Sequence, residues 1–208
     1  MMNANYSNNI KSLEHKLKER FYGEATGHDY FHILRVRDLA LHICQEEKGC
    51  DKEFVELLSL LHDVNDHKFQ NETSDSLETI VAKFLEGFHL NKEIQNRLVA
   101  YIPKISFSKN KDEKEDVPLA VKIVRDADRL DAIGAIGVAR AFAYGGKKNQ
   151  PIYLGDDTTL PTTIQHFYDK LLQLPSFMHT ETGRKLAKER FNFMEAFLKQ
   201  FFNEWMIR

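Results

Sequence analysis

Two His-Asp dipeptides occur in the chain, His28-Asp29 and His62-Asp63, and their surroundings separate them. His28-Asp29 follows Gly27 at the start of a helical pattern, where Asp29 has a local task as the N-cap. His62-Asp63 stands at the end of an apolar run, in the stretch LLSLLHDVNDHKF, where no local task is evident. Withdrawing an imidazole and a carboxylate from water costs a few kcal/mol, roughly, unless something satisfies both. Either hydrogen bonds or a metal ion would do so.

Two further residues raise the same question. Positions 32, 36, 39 and 43 share one helical face and read His32, Val36, Leu39 and Ile43, so His32 lies on an apolar stripe. It is either a core histidine bonded to a backbone carbonyl or a ligand. Arg35, Asp38 and His42 fall on a different, polar face, with His42 expected in solvent. In RDADRLDAIGAIG, Asp128 shares a face with Val121, Val124, Ala132 and Ala135, and a carboxylate in that company wants a cation, from Arg, Lys or a metal. Asp131 lies one turn on, while Asp126 and Arg129 are expected as ion-pair partners on the surface. Two imidazoles and two carboxylates from three separate segments make a mixed nitrogen and oxygen set that suits first-row divalent ions. Four protein ligands leave positions on a six-coordinate ion for a water and a phosphate oxygen.

The elements that must position these groups are helices. Ile10, Leu13, Leu17 and Phe21 keep helical spacing up to Gly23 and Gly27. A second helix opens after Asp29 and stops at Gly49; Asp51 caps a third, KEFVELLSLLHDV. A fourth follows Ser74 and Asp75, and a fifth starts at Asn91. KNKDEKED, residues 109–116, has no apolar residue and reads as a loop. Pro118 then opens one long helix, LAVKIVRDADRLDAIGAIGVARAF, before an irregular segment over 144–162 and two closing helices. The fold class is all-α. A single domain is expected over 1–208, with its core in about 25–145 and C-terminal helices over about 163–208 packed on it.

Composition bounds the partners. At 208 residues, 42% hydrophobic and 29% charged with a net charge of −2, the chain reads as a soluble globular protein, with no electrostatic case for a nucleic acid polymer or a membrane as partner. The opening MMNANYSNNIK lacks the apolar segment of a signal peptide, and no apolar run approaches the roughly 20 residues of a membrane span. Cys44 and Cys50 are too few for a disulfide framework and are expected as reduced thiols in a cytoplasmic protein. The aromatic C-terminal stretch (Phe191, Phe193, Phe197, Phe201, Phe202, Trp205) is expected in core packing, with a homodimer contact as the alternative.

His32, His62-Asp63 and Asp128, the last within an ADRL string, resemble the H…HD…D pattern of the HD-domain phosphohydrolase superfamily. The strings GHDYFHILRV, LLHDVNDHKF and DADRLDAIGAIGVARAFAYGG are similar to its bacterial YedJ/YpgQ type, from about residue 25 to the C-terminus. That resemblance implies an HD-domain helical bundle holding one divalent ion between helices on His32, His62, Asp63 and Asp128. Mn²⁺ is favoured, with Ni²⁺, Co²⁺, Mg²⁺ and Zn²⁺ as alternatives. It implies a nucleotide pyrophosphohydrolase acting on nucleoside or deoxynucleoside triphosphates. Asp66 occupies the place from which an acid in several such enzymes orients or deprotonates the attacking water. Lys68 is a candidate for holding a substrate phosphate, and His28 and Asp131 for supporting the ligands from behind, Asp131 by fixing a histidine's tautomer. Only His67 and His89 lie between the dipeptide and Asp128, which suits one metal rather than two. Lys147 and Lys148 would touch phosphates only if their loop folds over the site. The alternatives are hydrolysis of another phosphate ester, such as a nucleoside monophosphate, and a helical module that binds metal or nucleotide without turnover.

Overall fold

A computed structural model describes residues 4–23, 27, 29–65, 75–106, 116–155, 157 and 159–205. Among the described residues the regular structure is helical: α1 (Ala4–Arg20), α2 (Tyr30–Glu46), α3 (Lys52–Leu61), α4 (Leu77–Phe84), α5 (Lys92–Tyr101), α6 (Leu119–Asp131), α7 (Gly134–Lys147), α8 (Thr163–Asp169) and α9 (Glu181–Trp205). Short 3₁₀ stretches follow α5, at Ile102–Lys104, and α8, at Leu171–Phe177.

The caps read from the sequence are in place. The side chains of Asp29, Asp51 and Asn91 accept hydrogen bonds from the backbone N–H of His32, Phe54 and Ile94, respectively. For α4 the cap is Ser76 rather than Ser74 or Asp75. Ile10, Leu13 and Leu17 are buried on α1 and Phe21 just beyond it, and α3 is buried along its whole apolar run from Phe54 to Leu61. α2 packs on α3 and α6, and α9 covers α6 and α7 from the opposite side.

That sandwich corrects the expected surface role of Asp126 and Arg129, since α6 has neighbours all round and both residues are buried. Asp126 accepts hydrogen bonds from the backbone N–H groups of His179 and Thr180, at 2.9 and 2.8 Å, and from the Thr180 hydroxyl at 2.7 Å. It thus anchors the entry to α9, whose cap is Thr180, the hydroxyl of which accepts from the Gly183 N–H. Arg129 donates to the carbonyl of Phe177.

Two other expectations are corrected. The long helix from 119 is two helices, because Ile133 is extended and Gly134 takes a φ of +75°, a left-handed conformation that glycine adopts without penalty. Arg190 of α9 packs its stem where a Gly134 side chain would stand and donates to the Leu130 carbonyl, closing the break. The cysteines are not free thiols. The turn through Gly49 reverses the chain between α2 and α3 and brings the Cα atoms of Cys44 and Cys50 to 5.5 Å, where they form a disulfide. α2 and α3 therefore make an antiparallel hairpin, bridged at its turn.

Candidate metal centre

The open end of that hairpin carries the histidines. Cys44 lies twelve residues after His32, and His62 twelve residues after Cys50, so arms of equal length set the two imidazoles side by side. His32 is in the first turn of α2, its backbone N–H held by Asp29. His62 ends α3, and Asp63 begins the turn that follows. Asp128 comes from the last turn of α6, which packs against both helices.

The four groups converge. Nε2 of His32 is 3.3 Å from Nε2 of His62, and Asp63 Oδ2 lies 3.4 and 3.5 Å from the same two atoms. Asp128 Oδ1 stands 3.5 Å from His32 Nε2 and 3.9 Å from His62 Nε2. Donor atoms about 2.1 Å from a shared ion stand about 3.0 Å apart at right angles and about 3.4 Å apart at tetrahedral angles. The separations among His32, His62 and Asp63 are of that order. Both imidazoles are buried, whereas Asp63 and Asp128 are partly exposed, so the cluster opens to solvent on its carboxylate side.

The other nitrogens decide what the cluster can hold. His62 Nδ1 is 2.7 Å from the Ser59 carbonyl, which only accepts, so Nδ1 carries the hydrogen. His32 Nδ1 donates to Asp131 Oδ2 at 2.7 Å. Each neutral ring then turns a lone pair at Nε2 toward the other ring and toward two carboxylates. Four acceptors facing one another need a cation, either a proton or a metal. In the metal-free protein the proton fills the place. Burial pushes the His32 imidazole down, but hydrogen bonds to Asp131 and Asp63 outweigh it and hold the group up at about 9.

Asp131 has more partners than the sequence suggested. Arg35 Nε and Nη2 donate to its Oδ1 and Oδ2, at 2.7 and 3.0 Å, and Arg140 Nη1 donates to Oδ2 at 2.7 Å. Arg35 is therefore not simply part of a solvated face; His42, by contrast, is exposed as expected. Burial alone would raise Asp131, yet hydrogen bonds from His32 and Arg35 hold it well below the usual carboxylate range. Arg35, three residues after His32 and thus on its side of the helix, was detectable by spacing; Arg140 left no local signal.

The residues expected at the site thus divide. His32, His62 and Asp63 come together, Asp128 stands 3.5 Å from His32, and Asp131 lies directly behind His32. Lys147 and Lys148 are exposed at the end of α7. Asp66, His67, Lys68 and His28 lie outside the described residues. The aromatic stretch of α9 packs largely inward, Phe197 against Phe142 and Phe167, although Phe193 and Trp205 are about half exposed. No helix among the described residues is long and apolar enough to cross a membrane.

Comparison with known proteins places this geometry among relatives. Residues 29–133, which hold all four converging side chains, match the HD domain family. The chain is 42% identical over 178 residues to the uncharacterized protein YpgQ of Bacillus subtilis, covering 85% of this chain and 84% of that one. The crystal structure of Bacillus subtilis YpgQ in complex with ADP superposes with a TM-score of 0.80 at 34% identity over 96% of both chains. An HD-superfamily hydrolase from Bacillus thuringiensis does so with a TM-score of 0.77 at 35% identity, over 98% of this chain and 100% of the other.

Proposed function

The chain belongs to the HD domain family, and from that premise we propose that it is a divalent-metal-dependent phosphohydrolase of nucleotides. The observation that carries the reading is the convergence of His32 Nε2, His62 Nε2 and Asp63 Oδ2 at the separations of donors around one ion, with Asp128 Oδ1 standing 3.5 Å from His32 Nε2. The mixed imidazole and carboxylate set suits first-row divalent ions, and among them Mn²⁺ is favoured by the resemblance to the YedJ/YpgQ type. A divalent ion held there neutralises charge on a phosphoryl oxygen and acidifies a water.

The chain's own residues do the rest. His62 is oriented by the Ser59 carbonyl and His32 by Asp131, so neither ring needs to turn when substrate arrives. The partly exposed carboxylates of Asp63 and Asp128 mark the side from which a phosphate can approach. Asp66 is assigned, from its position in the sequence, as the group that takes a proton from the attacking water, and Lys68 as a phosphate contact. The ADP complex of YpgQ supports a nucleotide as the ligand. Within that class the assignment is a nucleotide pyrophosphohydrolase, releasing pyrophosphate from nucleoside or deoxynucleoside triphosphates.

The test is product chromatography on protein stripped of metal and resupplied with Mn²⁺, over nucleoside mono-, di- and triphosphates, beside Asp63→Ala and Asp66→Asn. Monophosphate plus pyrophosphate, lost in both variants, supports the assignment. Inorganic phosphate without pyrophosphate would replace it with a different phosphohydrolase. Metal binding with no turnover of any nucleotide would replace it with a binding module.

A further inference from the structure

We propose that Arg35 and Arg140 are positioning residues of the metal centre, together holding Asp131 in the one orientation that fixes the ring of His32. The inference rests on the reading of His32 as a metal ligand and extends it to two residues that hold Asp131 behind that ligand.

Asp131 is the last residue of α6 and is buried. A single hydrogen bond to His32 would leave the carboxylate free to swing about that contact. Arg35 removes this freedom with two parallel bonds, Nε to Oδ1 and Nη2 to Oδ2, which fix the plane of the carboxylate. Arg140 removes what remains, because its Nη1 reaches both Oδ2, at 2.7 Å, and the backbone carbonyl of Asp131, at 3.1 Å. The side chain is thereby tied to its own main chain through a third group.

The broken helix is what permits this. On an unbroken helix, nine residues would carry Arg140 about 13 Å along the axis from Asp131, at about 1.5 Å per residue. The extended Ile133 and left-handed Gly134 turn α7 back so that Arg140 faces Asp131. A second contact holds Arg140 from outside. Gly27, at φ +86° in the connection entering α2, lies so close that a Cβ there would stand 2.7 Å from the Arg140 Nε.

The test compares Arg35→Met, Arg140→Met and the conservative Arg140→Lys with the natural chain, using calorimetric titration with Mn²⁺ at one pH. In the Zn²⁺-loaded proteins, NMR follows the Nδ1–H proton of His32, which is visible while held in a shielded hydrogen bond. Each Met variant should raise the Mn²⁺ dissociation constant 10–100-fold, the range for lost support behind a metal ligand, and should broaden the His32 proton. Arg140→Lys should recover part of both. Dissociation constants within twofold of the natural chain, with the His32 proton unchanged, would overturn the inference. If Arg140→Met does not fold, Arg35→Met decides alone, its side chain being a third exposed. A natural chain that takes up no Mn²⁺ would instead remove the metal-centre reading itself, an outcome distinct from variants that bind as well as it does.

Discussion

Raising the pH should weaken the metal-free protein and at the same time strengthen its hold on a divalent ion, both through His32. The ring is fully buried, with Nδ1 on Asp131 and Nε2 facing Asp63 and Asp128, and its proton is held up to about 9 from an ordinary 6.5. The folded state therefore binds this proton more tightly than the unfolded chain does. The resulting stabilisation is fully present below pH 6.5 and is lost as pH rises through about 9. At about 1.4 kcal/mol for each tenfold change in proton affinity, the loss is about 3 kcal/mol, a large part of the roughly 5–15 kcal/mol that holds a domain together. Urea unfolding in chelator at pH 6, 7.5 and 9.5 measures it, with His32→Gln subtracted to remove all other titrations. The natural chain should lose ground to the variant as pH rises. Mn²⁺ binding must run the opposite way, because an ion taking the Nε2 lone pair displaces the proton, and affinity should rise by up to about tenfold per pH unit. A stability difference that stays flat, or grows with pH, would refute the account of the cluster as acceptors awaiting a cation.

Other outcomes follow from other parts of the fold. Asp126→Ala should cost about 3 kcal/mol or more in urea unfolding, because it strands buried N–H groups of His179 and Thr180 at the start of α9. Reducing the Cys44–Cys50 bridge should lower stability by about 2 kcal/mol, from the chain entropy of so short a loop, and the melting temperature by roughly 4–8 °C; calorimetry with and without reductant reads this. Gly137→Ala should cost about 1–3 kcal/mol, since its methyl group would run into the Ala132 carbonyl, and should weaken Mn²⁺ binding by disturbing the turn that aims Arg140. A variant of unchanged stability and affinity would show that the turn gives way harmlessly.

The sequence made the helices and the four converging side chains legible for a physical reason. Apolar spacing on α1, α2 and α3 records which face is buried, and caps such as Asp29, Asp51 and Asn91 act within three residues. The parts it left unread depend on partners distant in the chain. α6 carries so many charges that it reads as half-solvated, yet its charged groups are met by carbonyls and amides of other elements: Arg125 by Lys104, Arg129 by Phe177, Asp126 by His179 and Thr180. The break at Ile133 and Gly134 was hidden because a run of small residues suits a helix too, and what closes the break is Arg190. The cysteines misled for a similar reason. Their spacing says little until the turn through Gly49 reverses the chain.

The α2–α3 hairpin is fastened at its turn by a covalent bond, and at its open end it carries two imidazoles that one ion would fasten again. With an ion bound, the segment from His32 to His62 would form a closed ring, which the disulfide divides near its turn, so both ends of α2 and of α3 would be tied to the neighbouring helix. Amides in the two helices would then exchange with solvent more slowly than fraying ends allow. Removing the ion would release the helix ends at the histidines, and reducing the disulfide those at the turn. The two would act on the same helices from opposite directions, and the loss of both would expose more of α2 and α3 to exchange than the separate losses combined.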